Sequence, residues 1–171
     1  MLPRHAGAIS LRRLTATDLR AFQTYRHDGE LGRYQGWSAT SDEAASAFIA
    51  EMSTASLLRP GVWSQIGIAD TSTNELIGDI GLLLASNEQH VEIGFTLRSE
   101  SHGRGLALAA VREAINLAFD LTRAQRVLAI TDARNAPSIR LLERIGMTQV
   151  SSEETVFRNE PCVEHTYAIA R

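Results

Sequence analysis

The chain has 171 residues, 44% of them hydrophobic, with a formal net charge of -3 and a pI near 5.9. That balance suits one globular domain spanning 1–171, and it excludes a broad electrostatic grip on nucleic acid or an anionic membrane. The single Cys162 forbids an internal disulfide, and the five histidines at 5, 27, 90, 102 and 165 lack metal-site spacing. No stretch approaches the roughly 20 apolar residues of a membrane span, and Met1 to Ala8 hold no signal-length apolar run. A cytoplasmic protein without a metal is expected.

Ile9, Leu11 and Leu14 are interleaved with Ser10, Arg12 and Arg13, the pattern of a short half-buried strand whose two arginines are expected to form a solvated face rather than a carboxylate clamp. Thr15 and Asp18 make a capping-box-like start, and Leu19, Phe22, Tyr25 and Arg26 continue as a helical stripe. Thr40 and Glu43 repeat that signature before Ala44, Ala47, Phe48 and Met52, predicting a second helix after a loop with Tyr34, Gly36 and Trp37. Val62–Ala69, Leu76–Leu84 and Val91–Leu97, separated by polar turns, predict an antiparallel meander. Leu106–Leu121 lacks Gly and Pro, and it sets Val111, Ile115 and Ala118 on one face, so it predicts the longest helix. Val127–Thr131 reads as a strand, Asn135 and Pro137 open a last helix that Gly146 closes, and alternation over Val163–Ile169 predicts a closing hairpin. The order describes a mixed α/β sheet, not a doubly wound one.

The chemistry is concentrated where the strand ending at Leu97 leads through His102-Gly103-Arg104-Gly105-Leu106-Ala107 into the long helix. Glycines allow a tight turn and close backbone approach, and the first free N–H groups of a helix attract phosphate, so a pyrophosphate fits here with Arg104 beside it. A dinucleotide fingerprint fails, because Leu108 stands where Gly or Ala is required, and a Walker loop fails for want of Gly-Lys-Ser/Thr. The alternative is a plain strand-to-helix connection.

His102-x-x-Gly105-x-Ala107 resembles the Gln/Arg-x-x-Gly-x-Gly/Ala loop of the GCN5-related N-acetyltransferases (GNAT), with His in the first place. The run Asn135 to Met147 is similar to that family's Asn-x-x-Ser-x-x-Leu-x-Glu-Lys-x-Gly-Phe segment, in the right order and at the right spacing. Leu11-Arg12-Arg13-Leu14 with Asp18, and Trp37 ahead of Glu43, Ala44, Phe48 and Ile49, resemble its RimJ/RimL-like branch of ribosomal-protein N-acetyltransferases and polyamine acetyltransferases.

The resemblance implies the GNAT fold, a largely antiparallel sheet with a V-shaped parting between Val91–Leu97 and Val127–Thr131. Acetyl-CoA would lie in that gap as co-substrate. The backbone of Phe95, Thr96 and Leu97 would then pair with pantetheine, and His102 to Ala107 would hold the diphosphate. Asn135 is expected either to bond the carrier or simply to cap its helix. Leu142 stands where much of the family has an acidic Tyr, so Ser138 becomes the candidate general acid, or else a helix-start cap. Glu92 is the candidate base, unless solvated or salt-bridged; Glu153 and Glu154 are weaker candidates. Tyr34, Trp37, Trp63 and Tyr167 are expected either to line the acceptor pocket or to serve as core. The acceptor is then a primary amine: a peptide α-amine, a polyamine or a small amino compound. Alternatives are a CoA-binding module with little catalysis and an aminoglycoside-type antibiotic acetyltransferase. A homodimer is also compatible with the resemblance.

Overall fold

A computed structural model describes residues 1–171. Eight strands form one sheet in the order β1-β2-β3-β4-β5-β6-β8-β7. They are β1 (Arg4–Ala6), β2 (Ile9–Arg12), β3 (Trp63–Asp70), β4 (Leu76–Leu84), β5 (His90–Leu97), β6 (Arg126–Asp132), β7 (Thr148–Phe157) and β8 (Glu160–Ala170). Five helices accompany them: α1 (Leu19–Arg26), α2 (Gly29–Gly32), α3 (Asp42–Thr54), α4 (Leu106–Leu121) and α5 (Ala136–Ile145). All neighbouring strands are antiparallel except β5 and β6. That one parallel pair exists because α4 carries the chain back across the sheet between them, as a parallel connection requires.

The predicted α4 has the bounds read from sequence, and its apolar stripe drives the main core. Leu106, Ala110, Val111, Ala114, Ile115, Leu117 and Ala118 are buried against Ile66, Ile68, Ile80, Leu82, Val91, Ile93 and Val127 of the sheet. Truncating a fully buried member such as Leu117 to Ala is expected to cost about 2–5 kcal/mol. A smaller core of Leu14, Phe22, Tyr25, Ala45, Ile49, Met52 and Leu76 holds α1 and α3.

Local chemistry sets the element ends. The Asp18 carboxylate accepts the Thr15 backbone N–H at 2.8 Å, as the capping-box reading requires. The cap of α3 is Ser41, one residue past the expected Thr40, and its hydroxyl accepts the Ala44 N–H at 3.2 Å. Gly146 ends α5 with φ 101, a left-handed value that glycine tolerates.

Three features depart from the sequence reading. Arg4–Ala6 forms an extra edge strand, pinned by Arg4 to Glu113 (3.1 Å) and Asp120 (2.6 Å) of α4. Gly29–Gly32 forms an additional helical turn, capped by the Asp28 carboxylate. Arg12 and Arg13 are not a solvated face. Arg12 forks onto both Asp18 oxygens at 2.9 Å, while Arg13 donates to the Met52 and Ala55 carbonyls at the end of α3. Free carbonyls at a helix C-terminus attract such a cation.

Candidate active site

Seven and eight residues long respectively, β6 and β5 pair only at His90–Glu92 with Arg126–Leu128. Past Glu92 they part. The gap is lined by Ile93–Leu97 from β5, by Ala129, Ile130 and Thr131 from β6, and by the start of α4 and α5, in a cavity of roughly 690 Å³.

Which backbone groups face the gap follows from the pairing of β5 with β4. Arg98 N–H donates to Ile77 O at 2.8 Å, which makes the facing residues Gly78 and Leu97 a non-hydrogen-bonded pair. By alternation, Ile93, Phe95 and Leu97 turn their backbone groups to the gap, and Thr96 turns its own to β4. The expected three-residue edge is therefore corrected to alternate residues, with Thr96 contributing its side chain. That hydroxyl accepts the Trp37 indole N–H at 3.1 Å.

Gly103 and Gly105 both take φ 73, and Gly105 is the N-cap of α4 with no side-chain cap. The helix thus opens with free N–H groups beside the cavity, where Gly103, Gly105, Leu106 and Ala107 all lie. His102 lines the cavity too, but its Nε2 is spent on Leu97 O at 2.6 Å, tying the loop to the strand. Arg104 is exposed and stands outside the lining, so the cationic contribution at the mouth comes from Arg33, Arg140 and Arg144. None of the three belongs to the His102–Ala107 loop motif.

Asn135 and Ser138 enter from α5. Asn135 Oδ1 accepts the Ser138 backbone N–H at 3.4 Å, so the capping role is present, and both residues also line the cavity. Pro137 in the first turn accounts for the helix starting there.

On the opposite sheet face, strand alternation aligns Glu92, Gly94 and Thr96. Glu92 is partly buried, and burial, reinforced by the Glu164 carboxylate of β8, holds its pKa above the ordinary 4.5. Gly94 lies directly opposite Gly81, and a Cβ on Gly94 would meet nothing within 4 Å, so the floor beside Glu92 is open. Glu164 carries no motif in the sequence, and its place in the alternating β8 pattern is the signal available for it. Glu153 lies across from Glu164, and Glu154 opposite Val163.

The four aromatic candidates do not converge. Tyr34 lines the cavity, with the Arg33 and Arg134 guanidinium groups 5.4 Å and 5.6 Å from its ring. Trp37 covers Thr96 and lies against Arg26 at 4.5 Å. Trp63 is 45% exposed at the start of β3, near Gly81, and stands outside the cavity. Tyr167 is corrected to a core residue: it is 3% exposed, and alternation puts it on the α4 side of β8.

An uncapped helix start stands at the mouth of two parted parallel strands, an arrangement suited to an anionic ligand. Residues 9–148 match the model described as "Acetyltransferase (GNAT) domain", and the chain belongs to that family of acetyltransferases. Among curated relatives, "Uncharacterized N-acetyltransferase p20" of Bacillus licheniformis is 27% identical over 139 residues, covering 81% of this chain and 78% of its own. "Uncharacterized N-acetyltransferase YoaA" of Bacillus subtilis is 30% identical over 139 residues, with 80% and 77% covered. In fold, the chain is similar to a GNAT-family acetyltransferase from Bacillus anthracis (TM-score 0.86, 22% identity, 99% and 98% covered). It is also similar to RimL, a ribosomal L7/L12 α-N-protein acetyltransferase solved with coenzyme A (0.82, 14%, 99% and 98%). A third similar structure is spermidine N-acetyltransferase from Vibrio cholerae, solved with CoA and spermine (0.77, 17%, 95% and 95%). No helix of this chain is long and apolar enough to cross a membrane.

Proposed function

We propose that the protein transfers the acetyl group of acetyl-CoA directly to a primary amine, with the carrier held in the β5–β6 gap. The observation that supports this is the pairing of β5 and β6 ending at Glu92, beside the uncapped start of α4. The cavity residues suit such a carrier. Free N–H groups from Gly105 onward receive the diphosphate, Arg140 and Arg144 add positive charge, and the Ile93–Leu97 edge accepts an extended amide arm as a strand would. The carrier supplies the activated thioester.

On this reading, the chain's own residues manage two protons. Glu92 accepts one from the incoming ammonium group, and its raised pKa makes it a better base than an exposed carboxylate. Ser138 donates one to the departing thiolate. Glu164 adds negative potential on the acceptor side, favouring cationic amines such as a polyamine, a peptide α-amine or a small amino compound. Such an enzyme works in the cytoplasm, where acetyl-CoA is at hand.

The test is thiol release from acetyl-CoA across a panel of these amines. Acceptor-dependent release is expected. Tight carrier binding with no release for any amine would overturn catalysis in favour of a binding module.

A further inference from the structure

Two carbonyls on the free edge of β5 already accept side-chain hydrogen bonds. His102 belongs to the adjoining loop and bonds Leu97 O, whereas Gln35 arrives from a loop 60 residues earlier and donates Nε2–H to Phe95 O at 3.1 Å. Gln35 is itself part of the cavity lining. A carboxamide N–H on a strand-edge carbonyl is the contact that an amide of a pantetheine arm makes when it adds to that edge.

The backbone around Gln35 is held independently of this bond. Arg158 donates to the Gln35 carbonyl at 3.0 Å and to the Trp37 carbonyl at 2.7 Å. Trp37 is fixed in turn by Thr96 and by its contact with Arg26. Arg158 opens the two-residue β7–β8 turn at φ 51, a left-handed conformation uncommon for a residue with a side chain. The loop backbone is thus clamped by Arg158, through contacts that do not involve the Gln35 carboxamide.

We propose that Gln35 is a positioning residue that stands in for a carrier amide at Phe95 O, and that binding of the pantetheine arm exchanges it. This rests on the carrier reading above. The exchanged bond lowers carrier affinity and keeps the free strand edge satisfied between turnovers. Removing the carboxamide therefore strengthens carrier binding, whereas losing a merely structural contact would not.

Calorimetry on the full chain tests this with coenzyme A and with adenosine 3′,5′-bisphosphate, which lacks the pantetheine arm. Gln35→Ala and Gln35→Asn, the latter too short to reach Phe95, are each expected to tighten coenzyme A about fivefold, the factor set by one neutral hydrogen bond. The bisphosphate affinity stays unchanged. Unchanged or weaker coenzyme A binding in both variants overturns the proposal, as does an equal shift for both ligands. Failure of the unaltered protein to bind coenzyme A would overturn the carrier reading itself.

Discussion

Asp79, 1% exposed, accepts a 2.7 Å hydrogen bond from Nη2 of Arg26 in an ion pair sealed between the sheet and α1. Tyr25 and Gln65 complete the carboxylate's partners at 2.5 Å and 2.7 Å. Arg26 also lies against Trp37, so the pair supports the loop that covers Thr96. Asp79→Ala strands a buried guanidinium and is expected to cost about 3–5 kcal/mol, read as a fall in the urea midpoint.

Gly78 faces Leu97 where β4 meets β5, and a Cβ there would lie 2.2 Å from the Thr96 carbonyl oxygen. Backbone cannot yield as a flexible side chain does. Gly78→Ala is expected to destabilise the fold by about 3 kcal/mol and to weaken coenzyme A binding by displacing β5, with urea unfolding and calorimetry as the measurements. A wild-type midpoint would contradict the packing described.

Gly105→Asp places a carboxylate at the first turn of α4, where the diphosphate is proposed to sit, in a backbone conformation that also disfavours a side chain. Loss of coenzyme A affinity with a retained cooperative melt is expected. Ser138→Ala, by contrast, is expected to lower turnover about a hundredfold while leaving coenzyme A affinity nearly intact. Normal turnover removes Ser138 from the mechanism.

Glu92 connects the site to pH. Its native carboxyl binds a proton more tightly than the unfolded chain does, so the native state holds more protons as pH rises past 4.5. Its contribution to stability is therefore complete below 4.5 and is lost as pH rises through the folded pKa. Glu92→Gln should flatten that loss in urea midpoints taken from about pH 4 to 8. Glu164→Gln removes the neighbouring charge and should move the acidic limb of kcat/KM to lower pH; an unmoved limb would separate Glu164 from the proposed base Glu92.

Much of the architecture was legible in the chain because it is written in local rules. The apolar stripe of Leu106–Leu121, the Thr15–Asp18 cap, and the Asn135 and Gly146 ends of α5 each depend on residues within a turn or two of one another. The glycine loop was readable for the same reason, since Gly103 and Gly105 mark positive φ immediately before a helix. Arg4–Ala6 escaped because three residues show no periodicity, and their pairing is set by β2 and α4.

The contacts around the candidate site were decided by distant segments meeting. Strand parity, through the Arg98–Ile77 bond, selects Phe95 and Leu97 over Thr96 to face the gap; composition carries no sign of that choice. Gln35 and Arg158, 123 residues apart, meet only because the closing hairpin reaches the loop after α2. Tyr167 is core for the same reason, its face being chosen by pairing with Ala129. Side-chain alternation and helix periodicity are properties of short stretches of chain, whereas register, and therefore which group faces a ligand, is fixed by long-range pairing when the sheet assembles.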